Sequence, residues 1–281
     1  MDTARLAAAT MAAAIIGTQL VTAQPAVAAL PGLQVVSSVT VGNSTSPKAV
    51  TATCTAPRVL IGGGVFVDED GAPGQVVVDR LYPTSNAFWV RAHEVQGGTK
   101  ANWWLRAFAV CAFPESVPGY TRVAVHSPAG SANATSTATC PAGKFTLTAG
   151  AKIEGGNGQV MLDALLPSRT SVTANAVEDF DGTDATWSLD TYAVCANDLP
   201  GLYVVSTMAM SDSADKAVTS VCNFGAVPLS NGWDIESRSP GRVHVDIAMP
   251  TSTGSLVSAR EIGPDVTTMW SLATRTVCAF P

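Results

Sequence analysis

The stretch Trp187-Ser188-Leu189-Asp190-Thr191-Tyr192-Ala193-Val194-Cys195 decides the fold, because its pattern occurs three times in the chain. Matching stretches run from Trp103 to Cys111 and from Trp270 to Cys278, and in all three the tryptophan stands eight residues before the cysteine. An aspartate stands thirty-two residues before each of these cysteines, at Asp79, Asp163 and Asp246. Fixed spacing of this kind predicts three copies of one structural unit.

The opening of each copy is a Pro-Gly pair, at Pro31-Gly32, Pro118-Gly119 and Pro200-Gly201. These pairs predict tandem repeats over residues 29–117, 118–199 and 200–281. Residues 1–28 contain Arg5, an apolar run and the small-residue site Ala26-Val27-Ala28, which together predict a cleaved secretory signal peptide. We therefore expect a secreted, extracellular product.

Charge and composition exclude several classes of partner. The full chain has a net charge of −6, and residues 1–28 contain one Asp and one Arg, so their removal leaves the balance unchanged. A mildly acidic chain is not expected to bind nucleic acid or anionic lipid through charge. After the signal peptide no apolar stretch is long enough to span a bilayer, so we do not expect a membrane-embedded protein.

Six cysteines fall two to a repeat, as Cys54 with Cys111, Cys140 with Cys195, and Cys222 with Cys278. The repeat favours one disulfide within each copy, which an exported protein can form. The alternative is a cyclic arrangement in which the last cysteine of each repeat bonds the first cysteine of the next. Zinc is disfavoured, since the cysteines occur singly and without nearby histidines.

Within a repeat the hydrophobic period is two. Residues Phe145, Leu147, Ala149, Ala151 and Ile153 share one face, which is typical of a β-strand. We expect an all-β chain with five or six strands per repeat and few helical residues. Strands such as 76–82 are apolar on both faces and need cover from more than their own repeat, which favours a pseudo-threefold, β-prism-like packing of the three repeats. Three small β-sandwich domains in a row are the alternative.

Short motifs link the chain to other proteins. Cys140-Pro141-Ala142-Gly143, Gly62-Gly63-Gly64 and Tyr192-Ala193-Val194-Cys195-Ala196 resemble a Cys/Trp β-repeat of uncharacterised secreted actinobacterial proteins, and similar strings occur near the tips of some phage-tail-like fibres. The Cys-Pro-x-Gly turn also resembles that of egg-membrane β-prism proteins, although repeats 1 and 3 lack it. The resemblance covers the mature chain and implies no activity.

The carboxylates present in every copy are the candidate ligand-binding residues. An Asp/Glu pair recurs at a separation of fifteen residues, as Asp79 with Glu94, Asp163 with Glu178, and Asp246 with Glu261. Such a pair could accept hydrogen bonds from sugar hydroxyls, bind calcium, or act as acid and base on a glycosidic bond. The structural alternative is that both carboxylates bond backbone or basic groups within the frame. Triplication favours multivalent binding over catalysis.

Other side chains give weaker signals. The spacing of Asp179, Asp181 and Asp184 resembles that of the oxygen ligands in a calcium loop, but the chain lacks the closing glutamate of an EF-hand. The recurrent Trp103, Trp187 and Trp270 are expected in the core beside the disulfides, and the non-recurrent Trp89, Trp104, Trp233 and Tyr203 are candidates for exposed contacts. No nucleophile elbow or phosphate loop occurs.

The sequence therefore predicts a secreted, disulfide-stapled, non-enzymatic protein without a required cofactor. The first hypothesis is a lectin-like, multivalent carbohydrate-binding protein for extracellular glycan or cell-envelope polymer. The second is a structural or assembly protein of the cell exterior, with a secreted protein partner and no small ligand. A secreted hydrolase is the third. Oligomeric state is not predicted.

Overall fold

The computed structural model describes residues 30–70, 74–223, 225–262 and 268–281. The expected signal peptide lies outside the described residues. Each repeat forms six strands. Repeat 1 forms β1 (Gln34–Val39), β2 (Lys48–Thr53), β3 (Val59–Glu69), β4 (Val76–Pro83), β5 (Ala87–Glu94) and β6 (Trp103–Ala112). Repeat 2 forms β7 (Thr121–His126), β8 (Ala134–Thr139), β9 (Phe145–Glu154), β10 (Val160–Pro167), β11 (Ser171–Glu178) and β12 (Ser188–Ala196). Repeat 3 forms β13 (Tyr203–Met208), β14 (Lys216–Val221), β15 (Val227–Ser237), β16 (Val243–Pro250), β17 (Gly254–Glu261) and β18 (Trp270–Ala279).

The prediction of an all-β fold is confirmed. Across the described ranges the only helical segment is a 3₁₀ turn at Pro114–Ser116. No helix in that part of the chain is long and apolar enough to cross a membrane.

Three six-stranded antiparallel sheets are each shared by two repeats. Sheet 1 has the order β1-β6-β3-β16-β17-β14, sheet 2 the order β13-β18-β15-β10-β11-β8, and sheet 3 the order β2-β5-β4-β9-β12-β7. In every sheet the first, sixth and third strands of one repeat continue into the fourth, fifth and second strands of another. This cyclic exchange gives the pseudo-threefold arrangement, and it excludes a row of separate sandwiches because no sheet belongs to one repeat.

The two halves of a repeat face each other and are joined by its disulfide. The bridges are Cys54–Cys111, Cys140–Cys195 and Cys222–Cys278, with Cα–Cα distances of 5.7, 5.8 and 5.8 Å. The expected pairing within each repeat is confirmed, and each bridge connects two different sheets. Three disulfides also indicate an oxidising environment.

A continuous hydrophobic core runs through the three repeats. It includes the equivalent residues Leu81, Leu165 and Ala248, together with the recurrent tryptophans Trp103, Trp187 and Trp270, which are at most 2% exposed. The expected core position of these tryptophans is confirmed, but each lies eight residues from its disulfide cysteine along an extended strand, so the expected position beside the disulfide is wrong.

The recurrent glycine ten residues after each first cysteine lies at a junction between repeats. At Gly150 an added Cβ would stand 2.6 Å from Pro83 Cδ and 2.8 Å from the Leu81 carbonyl oxygen. Only Arg80 and Leu81 pair with β9 here, opposite Lys152 and Ala151. Gly232 meets Leu165 and Pro167 in the same way, and Gly64 meets Ala248 and Pro250. The recurrent Gly and Pro are therefore explained by the close approach of neighbouring repeats.

Candidate functional site

The recurrent aspartates stand at the same irregularity in three equivalent strands. The β-ladder shifts register between Val78 and Arg80, between Leu162 and Ala164, and between Val245 and Ile247. The residue left out of the pairing is Asp79, Asp163 or Asp246. A β-bulge of this kind re-aims one side chain without ending the strand. These aspartates therefore lie within strands and not at their ends.

Two of the three bulge aspartates are buried in ion pairs. Asp79 is 0% exposed and accepts a 2.5 Å bond from Arg91 Nη2, with His93 Nε2 at 3.4 Å. Burial raises the pKa of the Asp79 carboxyl, and the hydrogen bonds from Arg91 oppose that rise. Asp246 is 2% exposed and accepts a 2.5 Å bond from Arg260 Nε. Neither carboxylate is accessible to an external ligand.

Asp163 differs because no cation compensates it. Among the described residues it forms no salt bridge, whereas Arg91 and Arg260 serve the other two bulges. Burial raises the pKa of Asp163 to about 6, and the nearby Asp234 contributes to the rise. The bulge of repeat 2 therefore contains a carboxylate whose ionised form is destabilised, at the junction of repeats 2 and 3.

The recurrent glutamates cap the buried tryptophans. Trp103 Nε1 donates to Glu94 Oε1 at 3.0 Å, and the equivalent bonds join Trp187 to Glu178 at 3.0 Å and Trp270 to Glu261 at 2.8 Å. The second oxygen of Glu94 accepts the amide of Thr99, and that of Glu178 accepts the amide of Thr183. Because a buried indole N–H needs an acceptor, each glutamate completes the core.

Five of the six candidate carboxylates consequently form contacts within the fold, Asp163 being the exception, and the structure does not bring the six together as three exposed clefts. The three calcium candidates Asp179, Asp181 and Asp184 do not form one metal-holding group either. Asp179 lies beside Asp181, and burial followed by that neighbour raises the Asp179 pKa to about 7. Asp184 is exposed, and the described residues contain no group of three His, Cys, Asp or Glu side chains placed to hold a metal.

A groove crosses the outer face of sheet 1, opposite the core. Its first depression, about 360 Å³, is lined mainly by β1, β6 and β3, and its second, about 420 Å³, by β6, β3 and β16. The two share Phe66, Asp68 and Arg106. Trp104 closes the first depression, and Phe108 and Met249 line the second. We call this feature the repeat-1 groove.

The side chains that line the repeat-1 groove do not pair with one another. Asp68 and Arg106 are exposed, and the side chain of neither forms a hydrogen bond or ion pair with any residue that the structure describes. Phe66, Phe108 and Trp104 are half-buried and do not stack on other rings of the described chain. The Trp104 indole occupies the space that a Cβ at Gly42 would fill, 2.0 Å from its ring. The glycine thus lets the ring lie against the backbone.

On the equivalent face of sheet 3, the aromatic rings and the charged groups pair with one another. Tyr82 stacks with Tyr192 at a centroid distance of 5.1 Å and packs on Trp89 at 5.3 Å. Glu154 receives Lys152 Nζ at 2.6 Å and also the Arg80 guanidinium. A face whose rings and charges are already paired offers little to a ligand.

Of the four aromatic side chains considered for exposed contacts, Trp89, Trp104, Trp233 and Tyr203, Trp104 lines the repeat-1 groove. Trp233, expected to be exposed, is 1% exposed and donates from Nε1 to the Leu162 carbonyl at 3.3 Å. That expectation is wrong because Trp233 lies on a strand face that a neighbouring repeat covers. Tyr203 is half-buried, and its hydroxyl accepts the Asn223 amide.

Sequence reasoning missed a third recurrent carboxylate. Four residues after the junction glycines Gly64, Gly150 and Gly232 stand Asp68, Glu154 and Glu236. In each sheet this acid pairs in register with the residue after the recurrent tryptophan: Asp68 with Trp104, Glu154 with Ser188, and Glu236 with Ser271. The spacing was visible in the sequence, but the outward direction of these side chains required the sheets.

Comparison with known proteins gives no functional assignment, so a proposal has to rest on the geometry described above. No protein-family model matches the chain, and a search of curated proteins finds no match to it.

Proposed function

We propose that the protein is a secreted, non-enzymatic binding protein that holds an extended extracellular glycan in the repeat-1 groove. The observation that supports this most directly is the open pair of charges, Asp68 and Arg106, among half-buried aromatic side chains. The recurrent carboxylates form the frame of this binding surface.

The chemistry of the groove suits a sugar chain. A pyranose ring has an apolar C–H face and a rim of hydroxyls. Aromatic side chains such as Trp104 and Phe108 provide apolar surface for the ring, while a carboxylate accepts and a guanidinium donates hydrogen bonds at the rim. Sites that bind small polar ligands combine apolar lining with a few convergent polar groups in this way.

The dimensions favour a polymer over a single sugar. The groove extends from β1 across β6 and β3 to β16, which at a strand spacing of ~4.8 Å gives about 14 Å, or roughly three sugar rings. Its two depressions share one charged centre, and both ends open at the surface of the sheet. A chain lying across the strands would contact repeat 1 and repeat 3 together.

Retention of the oxidised protein on insoluble chitin, cellulose, xylan, alginate and peptidoglycan tests the proposal. We expect retention on at least one polymer, with a loss of about tenfold or more in the Trp104→Ala and Asp68→Asn/Arg106→Gln variants, since a few buried anchors dominate binding. Trp89→Ala, which removes a half-buried tryptophan from sheet 3, is the matched control and should bind normally.

Two outcomes would contradict the proposal. Equal loss in Trp104→Ala and Trp89→Ala would mean that the groove is not the site. No retention of folded wild type on any polymer would leave the structural or assembly role, which the burial of Asp79 and Asp246 in the frame also accommodates.

A further inference from the structure

We infer that repeat 3 carries a second, weaker site for the same polymer, in the depression beside β15 and β18. This inference rests on the proposed function of the repeat-1 groove. The depression measures about 450 Å³, and we call it the repeat-3 depression. Its lining includes Ser211, Glu236, Arg238, Met269 and Ser271.

The repeat-3 depression overlaps the position equivalent to the first depression of the repeat-1 groove, because its lining residues Ser211, Glu236 and Ser271 correspond to Gly42, Asp68 and Trp104. An isolated bridge joins Asn43 to Trp103 beside the groove, and the equivalent bridge joins Asp212 to Trp270. Ser211 therefore corresponds to Gly42. In sheet 2, Glu236 of β15 pairs with Ser271 of β18, as Asp68 of β3 pairs with Trp104 of β6 in sheet 1. The same backbone frame thus presents an outward carboxylate at the same point.

The side chains supply the same kinds of contact at lower strength. Glu236 is exposed, and its side chain forms no hydrogen bond or ion pair within the described ranges. Arg238, which stands where repeat 1 has Asp70, provides a guanidinium in the lining, and Ala273 stands in the place of Arg106. Met269 is 57% exposed and provides apolar surface, but Ser271 stands where repeat 1 has Trp104. Loss of the aromatic anchor explains why this site should be the weaker one.

Repeat 2 does not carry a third site. Its equivalent acid, Glu154, is held by Lys152 and Arg80, and Ser188 replaces the tryptophan. A ligand there would have to displace two cations. The pseudo-threefold frame therefore offers three equivalent positions of which two are open.

The two open positions lie on different sheets, because repeat 1 presents its depression on sheet 1 and repeat 3 on sheet 2. One molecule then holds two segments of polymer at once. Linking two weak sites in one rigid body raises the overall affinity for a surface bearing many copies of the ligand, without any new contact.

Stoichiometry tests the inference. Isothermal titration of the oxidised protein with chitohexaose, cellohexaose and a hexameric alginate fragment should show, for the hexasaccharide that binds, one tighter and one weaker site. Glu236→Gln/Met269→Ala should remove the weaker site only, and Trp104→Ala should remove the tighter site only. Loss of either site should reduce retention on the insoluble polymer by about tenfold, because avidity depends on both.

The outcomes separate the two proposals. A single site that Glu236→Gln/Met269→Ala leaves unchanged overturns the second site and preserves the repeat-1 groove. No binding of any hexasaccharide overturns the second site, and it overturns both proposals when the folded protein is also retained on none of the insoluble polymers. Circular dichroism and reversible melting of each variant establish that it is folded, and Glu236→Gln alone provides the milder change if the double variant does not fold.

Discussion

Replacing Asp163 with asparagine should stabilise the protein at pH 8 and have little effect at pH 4. Asp163 occupies the β-bulge at which repeats 1 and 3 place Asp79 and Asp246, but it lacks the arginine that neutralises those two. Burial, together with Asp234, raises its pKa to about 6. Asparagine has nearly the same shape and carries no charge.

The magnitude follows from the raised pKa. In the unfolded chain an aspartate ionises near its ordinary value of 3.8, whereas in the folded protein Asp163 ionises near 6. Ionisation of the folded state therefore costs free energy that is absent below pH 4, grows between pH 4 and pH 6, and is constant above. The difference corresponds to about 3 kcal/mol at most, and solvent at this half-buried site reduces it toward about 1 kcal/mol.

Thermal melting at pH 4 and pH 8 measures the effect. For a chain of this size, 1–3 kcal/mol corresponds to a rise in Tm of about 3–10 °C at pH 8. The contrasting variant is Asp79→Asn, which takes the counterion from Arg91 and should destabilise the protein by about 3 kcal/mol. The reasoning is refuted if Asp163→Asn lowers Tm at pH 8, or raises it equally at both pH values.

Three further predictions concern the frame. Gly150→Ala should lower the free energy of unfolding by about 3 kcal/mol, because the added Cβ would meet Pro83 and the Leu81 carbonyl at the repeat junction. Gly130→Ala is the control, because nothing lies near its Cβ, and it should leave stability in denaturant unfolding unchanged. Trp187→Phe leaves Glu178 Oε1 without its indole donor and should cost about 1–3 kcal/mol, unlike Trp89→Phe on the outer face; equal unfolding midpoints for the two variants would contradict this. His244 is 1% exposed at the position of Val77 and Met161, and burial lowers its pKa, so stability should fall as the unfolded chain takes up this proton below about pH 6.5. His244→Met should weaken that loss between pH 7 and pH 5, and an unchanged pH profile would refute it.

Much of the fold could be predicted because the information is local or repeated. Alternation at Phe145, Leu147 and Ala149 predicts a strand from neighbours in the chain, since successive side chains point to opposite faces. The spacing between Trp187 and Cys195 predicts a common unit because it recurs. The same repetition favours pairing of Cys140 with Cys195 over the cyclic alternative, and the structure confirms it.

The roles of the recurrent acids could not be predicted in this way. Glu178 recurs because it accepts the indole N–H of Trp187, nine residues away across a turn. Asp79 stands at a recurrent bulge that turns it toward Arg91, a contact that the equivalent Asp163 lacks. A sequence shows that such residues are repeated but not which atoms they face. The repeated residues build the fold. The residues that differ between copies, such as Trp104 and Arg106, line the repeat-1 groove.

The amino-acid sequence by itself determined the strands and the three repeats, because these depend on periodicity and on fixed spacing along the chain, and it favoured one disulfide within each repeat. Only the tertiary structure decided which strands share a sheet, and therefore that Met249 of repeat 3 lies beside Phe108 of repeat 1 in one groove. The physical reason is that partners in a sheet are chosen by the burial of whole faces, and each repeat here buries its faces against the other two.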